Sequence, residues 1–294
     1  MSEHFADRLI DAIQATGSAG CVGIDPRPGW DPTDVAPAGG PPWDYAAELI
    51  RLASGRVPAV KPQLAFLDDD APGVRRLGRS AQAQGLLVVA DAKRGDIGST
   101  AEAYARTWLA PGSGADALTV NPYLGADALE PFVAEAARAG KGLFVLVRTS
   151  NPGARDLQEL ELRTGERVFE RVARLVDDLG RAHVGACGFS CVGAVVGATA
   201  PPEQVARLRE LMPRALFLMP GLGAQGGDLR GVARALDRRG LGVLAPSSRG
   251  TAYPWRGKGD AGDVPAPPDW RARVTAAIDA LNADLARARG SGRA

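Results

Sequence analysis

Short apolar runs alternate along this chain with longer stretches in which apolar residues recur at helical spacing. A short, almost continuous apolar run is typical of a strand that is buried on both faces. Apolar residues at every third or fourth position indicate a helix with one buried side. We therefore predict strands at 20–24, 57–60, 86–90, 117–120, 143–147, 194–196, 216–219 and 242–244, and helices that include 43–53, 100–109, 126–139, 166–179, 203–211, 227–238 and 269–286.

This alternation predicts an α/β fold, a single (β/α)8 TIM barrel domain that spans residues 1–294. Strands that are apolar on both faces belong to a parallel sheet covered by helices, and eight such units close into a barrel. An open, doubly wound sheet is the alternative. Its first strand is followed by a glycine-rich dinucleotide turn, whereas this chain has GIDPRPGW there, with Asp25 and Pro26 in place of glycines. The barrel is therefore favoured.

Three segments lie outside the repeat. A helix predicted at about 2–16 has its apolar residues on one side, and we expect it to close the bottom of the barrel. The Gly- and Pro-rich segment 250–268 predicts a loop near the top of the barrel. The tail, about 287–294, is expected to be frayed.

Composition and charge favour a small-molecule partner. The net charge is +1 with basic residues scattered among acidic ones, so nucleic acid is not indicated. The apolar runs are far too short to cross a bilayer, so no membrane role is indicated. The number of cysteines is odd, and no charged-then-apolar leader opens the chain, which predicts a cytoplasmic location. Cys187 and Cys191 have no histidine pair to complete a metal site, since the only histidines are His4 and His183.

The strongest chemical signal is the segment DAKRGDIGSTAE, residues 91–102, which directly follows an apolar run. Asp91 and Lys93 are two positions apart, so both side chains point to the same side of an extended strand. Gly95 then lets the chain turn and bring Asp96 close. The pattern predicts a cation between two carboxylates. At the C-terminal end of a barrel strand this arrangement indicates an active site more than a surface salt-bridge cluster.

The start of the next helix carries a second pattern. Ser99 and Glu102 have the spacing of a capping box, in which each side chain accepts from a backbone N–H of the other residue. We therefore expect a capped helix start that fixes the geometry of the preceding loop.

Two loops after the last predicted strands indicate a phosphate site. MPGLGAQGG, residues 219–227, offers glycine amides and the Gln225 side chain, and SSRG, residues 247–250, offers hydroxyls and the guanidinium of Arg249. The loops after strands seven and eight are the usual phosphate site of such barrels. Backbone N–H groups and one arginine can neutralise the dianion, so a phosphorylated ligand is implied.

Further polar residues follow other strands. Asp25 and Lys61 are charges at the mouth of an apolar barrel and suit the hydroxyls of a ribose. Ser150 and Asn151 either hydrogen-bond a base or form an Asn-Pro turn, and the sequence favours neither.

The motifs GIDP, KPQLAF, DAKRGDIGST, TVNPYLG, VRTSNPG, VGAT, PGLGAQGG and SSRG occur in this order between residues 23 and 250. Together they resemble the orotidine 5'-phosphate decarboxylase family, specifically its longer bacterial type-2 branch. The resemblance implies orotidine 5'-monophosphate as substrate, UMP as product, and a homodimer that needs no metal or organic cofactor.

The resemblance also implies roles for single residues. Lys93 would protonate C6 of the pyrimidine as CO2 departs, and Asp91 would face the substrate carboxylate. Asp96 would come from the neighbouring subunit to hold Lys93, together with Ile97 and Thr100 of that subunit against the base and ribose. The other implied substrate-binding residues are Asp25 and Lys61 at the ribose, Ser150 at the pyrimidine, Gln225, Arg249 and Gly250 at the phosphate, and Pro220.

Two other functions stay open. Related phosphate-binding barrels use a similar Asp-x-Lys-x-x-Asp triplet with magnesium for sugar-phosphate decarboxylation or aldol chemistry. They need a further carboxylate for the metal, where this chain offers Asn121, Thr149, Ser150 and Thr199. A barrel that only binds nucleotides would keep the phosphate loops but has no need of Lys93.

Overall fold

The structure of the protein is a computed structural model that describes residues 3–27, 29–36, 42–67, 70–222, 228–257 and 264–291. Eight parallel strands are hydrogen-bonded in chain order, and pairing of the last strand with the first closes them into a barrel. The predicted TIM barrel is confirmed. The strands are β1 (Gly20–Ile24), β2 (Ala59–Pro62), β3 (Leu87–Arg94), β4 (Ala117–Val120), β5 (Gly142–Arg148), β6 (Val192–Val196), β7 (Phe217–Leu218) and β8 (Val243–Ser247).

Helices follow the strands and bury one side each against the barrel. In the helix after β4, Leu129, Phe132, Val133 and Ala136 are buried at the spacing of a single helical face. Among the described residues, no helix is both long and apolar enough to span a bilayer. The helices are α1 (Phe5–Thr16), α2 (Trp43–Ala53), α3 (Ala71–Ala83), α4 (Gly98–Leu109), α5 (Ala126–Ala139), α6 (Val168–Gly180), α7 (Pro202–Leu211), α8 (Leu229–Ala235), α9 (Arg249–Ala252) and α10 (Trp270–Ser291).

Helix α3 was not among the predicted helices. Its sequence, APGVRRLGRSAQA, contains few large apolar residues and two glycines, which disfavour a helix. Packing explains one of those glycines, because a Cβ on Gly78 would lie 1.9 Å from the carbonyl oxygen of Gly114. Close contact with the loop between α4 and β4 therefore accounts for a glycine that helix propensity disfavours.

The predicted capping box of Ser99 and Glu102 is wrong. Helix α4 begins at Gly98, and the residue before it, Ile97, makes no side-chain hydrogen bond to the first turn. Ser99 therefore lies inside the helix and not at its cap. Glu102 accepts from Arg106 one turn further along the same helix, at 3.3 Å.

Helix α1 lies against the N-terminal ends of the strands, at the bottom of the barrel. Phe5 packs edge to face on Phe144 of β5, with ring centroids 6.0 Å apart. A Cβ on Gly142 would lie 2.2 Å from the Phe5 ring, so glycine is needed at the first position of β5. The helix starts at Phe5 because His4 caps it by accepting from the backbone N–H of Ala6.

The expectation of a frayed tail from residue 287 is wrong as far as residue 291. Helix α10 continues to Ser291, and residues 292–294 lie outside the described part of the chain. Ala288 is buried, and Arg289 donates to the carbonyl oxygens of Gly240 at 2.9 Å and Gly17 at 3.3 Å. These contacts hold the last turn on the barrel.

A buried carboxylate joins the elements at the bottom of the barrel. Asp116, just before β4, has a side chain that is 3% exposed. It accepts from Arg8 of α1 at 2.8 Å, from Gln82 of α3 at 2.9 Å and from the backbone N–H of Val88 in β3 at 3.0 Å. The ammonium of Lys141 lies 3.6 Å away. A buried charge is tolerated when it is paired and hydrogen-bonded, as it is here.

We predict that Asp116→Ala lowers the free energy of unfolding by about 3–5 kcal/mol, since two cations lose their buried partner. Urea unfolding followed by circular dichroism measures the change. Asp279→Ala is the control, because Asp279 pairs with Arg56 at 2.9 Å on the surface. Its loss should stay below about 1 kcal/mol. Equal losses in the two variants would contradict the role given to Asp116.

Candidate active site

A cavity of about 510 Å³ opens at the C-terminal ends of the strands. Each of the eight strands, or the loop directly after it, contributes to its lining. Active sites of TIM barrels are built at this edge. The predicted site residues that line the cavity are Asp25, Lys61, Asp91, Lys93, Ser150, Pro220, Arg249 and Gly250.

The other four predicted residues fall into two groups. Gln225 lies outside the described residues. Asp96, Ile97 and Thr100 are described, but they lie beyond the cavity lining. Among the residues that the structure describes, a single chain therefore brings together those expected from one subunit and not those expected from its neighbour.

Asp91 of β3 is a buried carboxylate with both oxygens hydrogen-bonded. Oδ1 accepts from Nζ of Lys93 at 2.6 Å and from the Thr119 hydroxyl at 3.0 Å. Oδ2 accepts from Nζ of Lys61 at 2.7 Å and from Nε2 of Gln63 at 3.2 Å. The sequence predicted a cation between two carboxylates. Within one chain the arrangement is reversed, and one carboxylate lies between two ammonium groups.

The charges in this cluster stabilise one another. Burial by itself raises the pKa of Asp91, but the ammonium groups of Lys61 and Lys93 outweigh burial and hold that pKa well below its usual range. Burial likewise lowers the pKa of Lys61, yet the carboxylates of Asp91 and Asp25 raise it above its usual value. Asp91 and Lys61 are therefore both charged at neutral pH.

Strand β3 is irregular where it carries Lys93. It pairs with β4 at Ala90 and again at Arg94, and between these positions three residues of β3 lie opposite Thr119 alone. Among the described residues, Lys93 is the only one other than glycine with a positive φ, 50°. A left-handed conformation costs a residue with a Cβ roughly 1–2 kcal/mol. Such bulges occur next to active sites, where they redirect side chains.

Asp96 does not join the cluster within one chain. Its carboxylate accepts from the backbone N–H of Ile97 at 2.8 Å, and it forms no ion pair with any residue in the described ranges. The expectation that Gly95 brings Asp96 to Lys93 is therefore wrong for the single chain. The turn leads outward into α4, and Ile97 is 61% exposed there.

The loop after β5 brings Ser150 and Asn151 into the cavity lining. The side chain of Gln158 accepts from the backbone N–H of Thr149 at 2.8 Å and donates to the Thr149 hydroxyl at 2.7 Å. Thr199, after β6, donates to the Ser150 carbonyl at 3.1 Å. The two interpretations of this segment are compatible, because the chain forms a 3-10 turn (Pro152–Asp156) and still presents both residues to the cavity.

The two loops predicted to bind phosphate meet at the same cavity. Pro220 follows β7, and Arg249 and Gly250 follow β8, the neighbouring strand. Arg249 makes no ion pair with any residue that the structure describes, so its guanidinium is available to a ligand. Residues 223–227 lie outside the described residues.

The segment after Arg249, expected to be a loop, begins as α9 and then packs on the loop after β1. The Tyr253 hydroxyl donates to Asp31 at 2.5 Å. Its ring lies 5.5 Å from those of Trp30 and Tyr45, and 5.8 Å from that of Trp255. These contacts hold the segment after β8 against the loop after β1 and against α2. Residues 258–263 lie outside the described residues.

Three polar residues of the cavity were missed by sequence reasoning: Arg27, Gln63 and Thr119. Arg27 and Gln63 each follow a predicted residue by two positions, Asp25 and Lys61 respectively, so the spacing signal that identified Lys93 was present. Thr119 carried no such signal, because a β-branched residue within an apolar run looks like part of a buried strand.

Metal-binding groups are sparse in the described part of the chain, which contains no cluster of three or more histidine, cysteine or acidic side chains suited to an ion. The three cysteines are unpaired. Burial raises the pKa of the Cys191 thiol to about 11. Burial also raises the pKa of the Cys21 and Cys187 thiols, so all three cysteines are thiols at neutral pH.

Comparison with known proteins identifies the family. Residues 20–240 match the orotidine 5'-phosphate decarboxylase / HUMPS family. An orotidine 5'-phosphate decarboxylase of Rhodopirellula baltica is 44% identical over 83% of this chain and 87% of its own. The orotidine 5'-phosphate decarboxylase of Deinococcus radiodurans is 43% identical over 86% of this chain and 90% of its own length. The solved structure of Leishmania donovani OMP decarboxylase has a TM-score of 0.75 and 32% identity, over 98% of this chain and 99% of its own. The matched residues run from β1 through β7 and include the Asp91 and Lys93 pair, and the chain therefore belongs to the orotidine 5'-phosphate decarboxylase family.

Proposed function

We propose that this protein decarboxylates orotidine 5'-monophosphate to UMP and CO2, the step that completes UMP in pyrimidine biosynthesis. The observation that carries this function is the ion pair of Lys93 and Asp91 in the lining of the barrel cavity, with Nζ of Lys93 2.6 Å from Oδ1 of Asp91. Family membership supplies the substrate, because the curated relatives at 43–44% identity bear the name of this activity.

Lys93 is the proposed proton donor. When the bond between C6 and the carboxylate breaks, its electron pair stays on C6, where no ring carbonyl accepts the charge directly. A fixed ammonium beside that carbon lowers the barrier because it is oriented before the charge develops. Nζ of Lys93 then transfers a proton to C6 to give UMP, and solvent returns the proton to the lysine.

Asp91 is proposed to face the substrate carboxylate. Burial raises the pKa of Asp91, but the ammonium groups of Lys61 and Lys93 outweigh burial and hold that pKa well below its usual range. Asp91 therefore stays ionised when the substrate binds. Two carboxylates in one low-dielectric site repel each other, and loss of CO2 removes that repulsion. Lys61 and Gln63 hold the second oxygen of Asp91 and prevent it from turning away.

The rest of the cavity is proposed to bind the nucleotide away from C6. Oδ1 of Asp25 is a buried acceptor without a hydrogen-bond partner in the described structure, which suits a ribose hydroxyl as donor. Contacts with remote groups help to organise the reacting centre. The proposed assignments are Asp25 and Lys61 at the ribose, Ser150 at the pyrimidine, Gln225, Arg249 and Gly250 at the phosphate, and Pro220 in the wall.

We infer further that the protein is a homodimer with shared active sites. Asp96 would hold Lys93 of the partner subunit, and Ile97 and Thr100 would contact its substrate. An exposed apolar surface supports this assembly: Ile97 is 61% exposed, and Tyr123 and Leu124, after β4, are 77% and 47% exposed. The two loops adjoin, because a Cβ on Gly95 would lie 3.2 Å from the carbonyl oxygen of Asn121.

The sequence-based expectations of a cytoplasmic location, of no nucleic-acid partner and of no metal or organic cofactor stay predictions. The chelator in the assay below addresses the metal directly.

The activity is tested by the fall in orotate absorbance when purified protein is added to orotidine 5'-monophosphate with chelator present. Wild-type protein should consume the substrate. Lys93→Ala should abolish turnover and largely keep UMP binding, measured by calorimetry, because the phosphate and ribose contacts lie elsewhere. Lys141→Ala, at the bottom of the barrel, is the control and should stay active while folded. Activity that disappears with the chelator would favour the magnesium-dependent alternative, and a joint loss of turnover and UMP binding would contradict the role of Lys93.

We predict that Arg249→Ala lowers kcat/KM for the phosphorylated substrate roughly 100-fold, since a charge-assisted hydrogen bond of about 3 kcal/mol is lost. With the nucleoside orotidine, which lacks the phosphate, the same variant should react as slowly as wild type. Arg230→Ala, whose guanidinium pairs with Asp228 outside the cavity, is the matched control. A change of only a few-fold with the nucleotide would mean that the phosphate binds elsewhere.

The shared site predicts complementation between inactive variants. After subunit exchange, a heterodimer of Lys93→Ala and Asp96→Ala chains contains one site with both defects and one with both residues intact. With half of the dimers mixed and one intact site in each, activity should return to roughly a quarter of wild type. Mass spectrometry of tagged chains measures the exchange. Demonstrated exchange without activity would show that Asp96 serves its own subunit.

A further inference from the structure

We propose that Thr119 of β4 is a positioning residue, whose hydroxyl holds Asp91 and Lys93 in the geometry that decarboxylation requires. This role presupposes the proposed function, in which Lys93 delivers the proton to C6. Thr119 lines the cavity, yet it is 1% exposed. Because it is buried, Thr119 can act on the reaction through the residues of β3 that it contacts.

The Thr119 hydroxyl contacts three consecutive residues of β3. It accepts from the backbone N–H groups of Ala92 and Lys93, each at 2.9 Å. It donates to Oδ1 of Asp91 at 3.0 Å. A hydroxyl has one proton and two lone pairs, so this set of bonds uses its whole capacity. Because both lone pairs are occupied by N–H groups, the proton is directed at Asp91.

These bonds replace pairing that the bulge in β3 removes. Between Ala90 and Arg94 the regular register with β4 is lost, so the N–H groups of Ala92 and Lys93 need another acceptor. Lys93 also has the unfavourable φ of 50°. The Thr119 hydroxyl satisfies both N–H groups and so stabilises this conformation.

The same hydroxyl orients the carboxylate. Oδ1 of Asp91 receives both the Thr119 proton and the Lys93 ammonium, which lies 2.6 Å away. Loss of the hydroxyl therefore acts on both reacting side chains, through the backbone of Lys93 and through the carboxylate of Asp91.

Packing alone does not require a hydroxyl here. The other residues of β4, Ala117, Leu118 and Val120, are apolar and fully buried. Valine has the shape of threonine and would fill the same space without a polar group to satisfy. The hydroxyl is thus explained by its three bonds to β3.

The test compares Thr119→Val, which keeps the shape and removes the hydroxyl, with Thr119→Ser, which keeps the hydroxyl. Thr119→Val should lower kcat about 100-fold, the effect of a displacement of about 1 Å of a reacting group. Its affinity for UMP should be unchanged, because UMP lacks the carboxylate and binds through distant groups. Thr119→Ser should recover most of kcat. Thr107→Val, which removes an exposed hydroxyl bonded to Ala103 in α4, should leave kcat unchanged.

Thermal unfolding shows whether each variant is folded. If Thr119→Val does not fold, Thr119→Ala and Thr119→Ser form the comparison, and kcat of the alanine variant should be about 100-fold below that of the serine variant. A wild-type kcat in a folded variant without the hydroxyl would overturn the proposal, as would equal losses of kcat and UMP affinity or a failure of serine to restore kcat. A wild-type protein that does not consume orotidine 5'-monophosphate would refute the proposed function instead.

Discussion

The site depends on keeping one carboxylate charged inside an apolar barrel. A buried carboxylate is unfavourable unless its charge is paired and its oxygens are hydrogen-bonded. Asp91 meets this condition through Lys61 of the neighbouring strand and Lys93 of its own strand. The barrel fixes the first partner, because the pairing of β2 with β3 continues to a bridge between Gln63 and Asp91. Closure of the sheet thus sets the positions of the charges before any ligand binds.

The two ends of the barrel use buried carboxylates differently. At the bottom, Asp116 accepts from a backbone N–H and from side chains of separate helices, so its bonds join elements that must stay together. At the top, the charged partners of Asp91 are the ammonium groups of Lys61, which is buried, and of Lys93, which is half exposed at the mouth of the cavity. The first arrangement stabilises the fold. The second leaves a cation that can reach a substrate, at the cost of a strained backbone at Lys93.

The sequence predicted the barrel because each strand is an apolar run and each helix a periodic one. It predicted Asp91 and Lys93 because residues two apart share a side of a strand, although β3 extends to Arg94 and not only to residue 90, where the apolar run ends. The spacing could not reveal the bulge, which depends on pairing with Thr119 of β4. Nor could Gly95 reveal the direction of its turn, since glycine permits many conformations and selects none.

In the proposed homodimer, the outward direction of that turn would link catalysis to assembly. Within one chain, Lys93 contacts Asp91 on one side and is half exposed on the other, while the next carboxylate along the chain, Asp96, points away beside the exposed Ile97. A two-fold interface formed by this surface would place the outward carboxylate of each subunit against the open lysine of the other. The second carboxylate beside Lys93 would then be present only in the dimer. Substitutions on the exposed apolar surface would reduce turnover without altering any residue of the cavity, because they would remove the second subunit and, with it, the second carboxylate.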